Sequence, residues 1–146
     1  MSSQRYQFVS AVHLLLIKDN QVLLARRFNT GYEDGQYSLP AGHIDQGEPA
    51  IQAIIREVKE ELTIRVEKKN LEVVHVMHRN GDDHERIDFF MKVKKWSGEP
   101  MIGEPDKCDR LVWCALDNLP TNTIAYIKTA LHKIHNNEFY SEFGWD

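Results

Sequence analysis

The sequence predicts an α/β layered domain. Short apolar runs bounded by turn residues recur over the first forty positions and again from 71 to 115, while helix-periodic segments lie mid-chain and near the end. A chain of 146 residues suits a single domain spanning 1–146 and can bury a sizeable core.

The elements follow in order. Residues 8–17 are rich in Val and Leu and read as a strand, Lys18-Asp19-Asn20 as a turn, and residues 21–27 as the returning strand of a hairpin. Residues 28–36 form a polar loop with two glycines, 37–39 a short strand before Pro40, and 41–47 the loop entering a helix. That helix starts at Pro49, which fits the first helical position because no backbone donor is missed there. Ile51, Ile54, Ile55, Val58 and Leu62 form one apolar stripe facing a core. Residues 71–78 and 86–96 read as strands joined through residues 79–83, with Asn80-Gly81 as a hairpin signal. A loop over 97–109, a last strand over 110–115, a second helix over 121–135 and an aromatic tail complete the chain.

The first helix carries a local conflict. Glu57, Glu60 and Glu61 stand at i, i+3 and i+4, which places three carboxylates on one face. Like charges so spaced repel by roughly 0.2–0.5 kcal/mol per pair, and anions near a helix C-terminus oppose its dipole. Such conflicts mark functional sites, and a hard divalent cation held by carboxylate oxygens would resolve this one. Arg56 is placed to orient a carboxylate. Ala50 and Ala53 lie on the acidic side, where small residues leave room for a close approach.

Segment 42–64 resembles the Nudix box, Gly-x5-Glu-x7-Arg-Glu-U-x-Glu-Glu-x-Gly-U, where U is a bulky aliphatic residue. Gly42, Glu48, Arg56, Glu57, Val58, Glu60, Glu61 and Ile64 occupy its fixed positions. Thr63 replaces the family's second Gly, whose left-handed conformation normally ends the helix. The resemblance implies a Nudix-type α/β/α sandwich with a mixed, partly curled β-sheet. It implies a hydrolase breaking a phosphoanhydride bond of a nucleoside diphosphate linked to another moiety, with magnesium as cofactor or manganese as the alternative. Glu57 and Glu61 map to the main metal ligands. Glu60 is either a third ligand or an aid to water activation, and the backbone carbonyl of Ala41 is a further ligand candidate. Gly42 and Gly47 let the loop fold tightly. Glu48 falls near the helix start, about 180° from Glu57 around the axis, and reads as structural.

Outside the box, residues 96–104 resemble the loop that supplies another acid in MutT-type enzymes. Glu104 is therefore an additional ligand or base, or else a solvated loop acid; Asp83 and Glu85 are weaker candidates. Arg26 and Arg27 end a strand that should point at the cleft. Alternation sends them to opposite faces, so at most one of the two is expected on phosphate. Asn122 either reads a purine base edge, as the resemblance implies, or caps the last helix. Tyr32, Tyr37, Phe90 and Trp145 either stack a base or fill core.

The leading substrate is an oxidised or ordinary purine deoxynucleoside triphosphate, cleaved to monophosphate and pyrophosphate. A CDP-alcohol, an NDP-sugar, a dinucleoside polyphosphate, or a module that binds nucleotide without chemistry are the alternatives. Isopentenyl diphosphate isomerases share the fold but need a cysteine and extra histidines, a set Cys108 lacks. A net charge of −4 argues against a nucleic-acid polymer as partner. No run of about 20 apolar residues implies a membrane span. The N-terminus lacks a signal-peptide hydrophobic region, so a cytoplasmic location is expected. Cys108 and Cys114 read as packed or partly buried thiols. The sequence does not fix the oligomeric state; the resemblance allows a homodimer, the state of many relatives.

Overall fold

In the computed structural model, which describes residues 4–146, Val9–Lys18 forms the central strand, β1. Positions 1–3, part of the N-terminal segment read above for a leader, lie outside the described residues. The order continues with β2 (Gln21–Arg27), β3 (Tyr37–Ser38), β4 (Ala41–His43), α1 (Ala50–Leu62), a 3-10 turn (Lys68–Asn70), β5 (Glu72–Asn80), β6 (Glu85–Val93), β7 (Cys108–Ala115), α2 (Ala125–His135) and β8 (Tyr140–Phe143). One mixed sheet of eight strands results.

The sheet curls because β1 parts from its hairpin partner. Asp19 and Asn20 both take positive φ, 53° and 61°, as a tight primed turn requires. After the pairs Ile17↔Val22 and Lys18↔Gln21, β2 diverges to join β3 and β7. β1 pairs instead with β6 in parallel, from Val9↔Arg86 to Leu16↔Val93, and with β4 antiparallel at Ala11–His13. The stretch 41–43, expected as loop, is thus a short strand on the free edge of β1. A loop over 44–49 then carries the chain from this strand into α1.

Both faces of β1 are buried, so its alternation divides two cores. Val12, Leu14 and Leu16 pack with Ile54, Val58 and Leu62 of α1, whereas Leu15 packs with Phe90 and with Ile127 and Leu131 of α2. Ala53 also belongs to the α1 core and is fully buried. It fills packing space and does not open room beside the acids. Pro49 sits at the N-cap, in extended geometry, one position earlier than expected.

The second helix is shorter than its periodicity suggests, starting at Ala125. Residues 122–124 run extended against β3: the Tyr37 N–H donates to the Asn122 carbonyl at 2.8 Å, and the Ile124 N–H to the Tyr37 carbonyl at 2.9 Å. Ile124, not Asn122, is the N-cap. The aromatic tail contains an unanticipated strand, β8, parallel to β5. Buried His75 pins it, bonding the Glu138 carbonyl at 2.8 Å and the Ser141 hydroxyl at 2.7 Å. No helix among the described residues is long and apolar enough to cross a membrane.

Thr63 ends α1 at φ 58° and ψ 25°, a left-handed position costly for a β-branched residue. Thr63→Gly should therefore stabilise the protein by about 1 kcal/mol, read as a rise in the urea midpoint at constant m-value.

Candidate active site

The site is built around the carboxyl end of α1. Arg56 is its organiser. Its Nε and Nη2 donate to Glu48 at 2.8 and 2.9 Å, its Nη1 to Glu57 at 2.7 Å, and Nη2 also reaches the His43 carbonyl at 3.3 Å. Glu48 lies in the loop before the helix, so its angular distance from Glu57 does not apply: one guanidinium holds both. Gly42 permits this arrangement, because a Cβ there would collide with the Glu57 carboxyl group. The backbone N–H of Ala41 donates to Glu61 at 3.3 Å.

The opposite wall comes from residues 97–104, which cap the helix end. The Met101 N–H donates to the Leu62 carbonyl at 3.0 Å and the Gly103 N–H to the Glu61 carbonyl at 2.8 Å. Carbonyls left without partners at a helix terminus are thereby satisfied. The same bonds bring Glu104 across from Glu57 and Glu61. All three acids line one cavity of about 180 Å3, together with Ala41, Arg26, Arg27, Lys107 and Cys108. Cys108 opens β7 and does not sit in a loop; both cysteines are free and half-buried.

Some expected site residues fall elsewhere. The Glu60 side chain is 51% exposed, against 16% for Glu57, and it lies outside this cavity, 3.9 Å from Arg56. Tyr37 is buried among Leu39, Ile124 and Ile127, and lines neither this cavity nor the larger cleft beside it. The Asn122 side chain donates to the Gly35 carbonyl at 2.9 Å, tethering the 28–36 loop. Phe90 is core and Trp145 packs on His78, whereas Tyr32 and Asp83 line the larger cleft, whose volume is about 720 Å3. Glu85 lines neither.

Arg26 and Arg27 do not part to opposite sides: both line the small cavity. The register of β2 against β7 shifts between Arg26 and Arg27, a bulge that turns both toward the small cavity. Arg26 is held by Asp109 through bonds of 2.8 and 3.1 Å, whereas Arg27 bonds only neutral acceptors, the Tyr32 carbonyl at 2.7 Å and the Thr30 hydroxyl at 3.1 Å.

Compared with protein families, residues 7–135 match the NUDIX domain. The chain belongs to this family. It is a Nudix hydrolase, of the class that acts on nucleotide anhydrides. It is 29% identical over 112 residues to the 8-oxo-dGTP diphosphatase of Escherichia coli (strain K12), covering 75% of this chain and 85% of that one. It is 32% identical over 107 residues to the NAD-capped RNA hydrolase NudC of Pseudomonas aeruginosa, covering 73% of this chain but only 36% of NudC. The MutT NUDIX hydrolase structure from Burkholderia pseudomallei superposes with a TM-score of 0.79 at 29% identity, covering 87% and 98% of the two chains.

Nudix hydrolases generally use divalent metals such as Mg2+. Among the described residues, no three acidic, His or Cys side chains close into a ready metal cage. One oxygen of Glu57 is turned to Arg56 and one of Glu61 to the Ala41 amide. The electrostatics nonetheless fit a cation. Burial first, then the Glu57 and Glu104 carboxylates, push Glu61 from 4.5 up to about 8. Burial also raises Glu57, against the pull of Arg56, while Arg56 holds Glu48 down at about 2. An oxygen-only donor set short of positive charge is what a hard divalent ion takes.

This shift has a measurable sign. The folded protein holds the Glu61 proton more tightly than the unfolded chain, so this residue's contribution to stability falls as pH rises from about 4.5 to about 8. In EDTA, wild-type unfolding free energy should drop across that window relative to Glu61→Gln. Parallel profiles for the two proteins would refute the assignment.

Proposed function

We propose that this Nudix hydrolase cleaves a purine deoxynucleoside triphosphate, oxidised or ordinary, to the monophosphate and pyrophosphate, with magnesium as cofactor. One observation carries the reading: a single small cavity gathers Glu57, Glu61 and Glu104 beside Arg26, Arg27 and Lys107. Acids suit a metal and cations suit phosphate oxygens, and phosphoryl transfer asks mainly for positioning and charge neutralisation.

Glu57 and Glu61 would hold the ion, with the Ala41 carbonyl as a further oxygen donor. A bound divalent ion supplies charge neutralisation at the phosphoryl oxygens and lowers the pKa of water. Arg56 fixes the Glu57 carboxylate through Nη1. Arg27 is the phosphate contact, since its bonds go to a carbonyl and a hydroxyl, whereas Asp109 already neutralises Arg26. Glu104 lines the cavity with only a long contact to Lys107, 3.8 Å; it would take the proton of the attacking water. Glu60, on the rim, supports Arg56.

The test is product analysis over canonical and 8-oxo dNTPs, NDP-sugars, CDP-choline and dinucleoside polyphosphates, with magnesium and with EDTA. Magnesium-dependent release of pyrophosphate from a purine dNTP is expected. Turnover confined to another class would replace the substrate reading, and silence across the panel from a folded, nucleotide-binding protein would favour a binding module.

A further inference from the structure

Beside the phosphate-sized cavity lies the larger cleft, and Arg27 and Ala41 are walls of both. Two of its lining residues, His13 and Arg79, belong to a buried charged network that the hydrolytic chemistry does not use. Asp88 is fully buried on β6; Arg79, on β5, is 8% exposed. The Arg79 Nε donates to Asp88 Oδ2 at 2.8 Å and its Nη2 to Oδ1 at 3.2 Å. The His13 Nε2 lies 3.0 Å from Asp88 Oδ1. Burial opposes the Asp88 charge, but the His13 and Arg79 bonds outweigh it and hold its pKa at about 2. The Tyr126 ring covers one face of the Arg79 guanidinium at 3.6 Å.

A buried ion pair is a poor device for stability alone, because desolvation offsets most of the attraction. Here it does something more specific. Asp88 occupies the Nε–Nη2 edge of the guanidinium and Tyr126 one face, so the side chain is locked in orientation. The Nη1–Nη2 edge has no partner among the described residues, and Arg79 lines the cleft. Two parallel N–H donors on a rigid fork match two adjacent acceptors. Because Asp88 already cancels the charge, the matching ligand group is neutral; phosphate finds its cations in the other cavity.

We propose that Arg79 is a specificity-determining residue that reads the O6/N7 edge of an ordinary 6-oxopurine seated in the larger cleft, since 8-oxidation puts a proton on N7 and removes the second acceptor. This rests on the nucleotide reading above and deepens it. Arg paired to purine O6 and N7 is a strong bidentate fit, whereas a 6-amino group turns a donor toward the fork and repels it. Tyr32 and Phe143, also lining the cleft, supply aromatic surface for the base.

The experiment compares kcat/KM for dGTP and dITP (6-oxo) with dATP and 2,6-diaminopurine dNTP (6-amino), in wild type and Arg79→Lys, with thermal melts of both. Wild type should favour the 6-oxo pair. In Arg79→Lys the 6-oxo to 6-amino ratio should fall roughly 10- to 100-fold. An unchanged ratio overturns the proposal. Should the variant fail to fold, binding of dGMP, dIMP and dAMP to the wild-type protein in EDTA decides. A 6-oxo preference there supports the Arg79 role even if no triphosphate is hydrolysed, an outcome that would sink only the proposed function. Triphosphate hydrolysis with no base preference would do the reverse.

Discussion

Glu61→Gln is expected to leave a folded protein whose magnesium-dependent turnover has fallen on the order of 10^3-fold or more, since metal-borne charge stabilisation is worth several kcal/mol in the transition state. The substitution keeps shape and volume and removes the charge. Glu61 is the most strongly perturbed acid of the site, lifted by burial and by Glu57 and Glu104. An acid so strained is tolerated in the folded state without being needed for it. Above pH 8 in EDTA, Glu61→Gln should therefore equal or exceed wild type in stability while lacking activity. Glu57→Gln should lose turnover likewise, with a weaker stability gain because the ion pair with Arg56 is also lost. Full activity in either folded variant would remove that residue from the proposed ligand set.

Gly103→Ala should be the most damaging small substitution in the loop facing α1. An added Cβ would run into the backbone carbonyl oxygen of Glu60, which a well-packed helix cannot move aside. Overpacking of this kind costs roughly 1–3 kcal/mol. The shift would also break the Gly103–Glu61 backbone bond and carry Glu104 away from the other acids. Urea unfolding and steady-state kinetics should both report the loss. Gly42→Ala makes the informative contrast. Its Cβ meets the end of a flexible side chain, Glu57, which can swing away. Activity should fall while the urea midpoint moves little. If Gly103→Ala left the midpoint unchanged, the loop would not be the helix cap described above.

The helix and its acids were readable because their information is local. Periodic apolar residues, a Pro entry and three carboxylates on one face are consequences of 3.6 residues per turn, and all lie within one segment. The strands and the first hairpin were legible for the same reason, from alternation and turn residues. Misreadings fell where a distant partner overruled a local preference. Asn122 has good capping chemistry, yet residues 122–124 run extended because β3 offers backbone bonds. Tyr140–Phe143 is too short and polar to announce a strand, and becomes one because His75, 66 residues before Ser141, fixes it. Arg26 and Arg27 should have parted by alternation, and a bulge opposite β7 keeps them together.

By itself, then, the sequence determined the family, the acidic helix and the kind of chemistry it can support, because spacing along one helix turn sets which side chains share a face. Only the tertiary structure decided that Glu104 joins Glu57 and Glu61 while Glu60 does not, that Arg26 rather than Arg27 bonds a carboxylate, and that Arg79, Asp88 and His13 meet beneath the larger cleft. Those outcomes depend on strand register, bulges and desolvation. Each arises between residues far apart in the chain, and none is set until the two cores close on either side of β1.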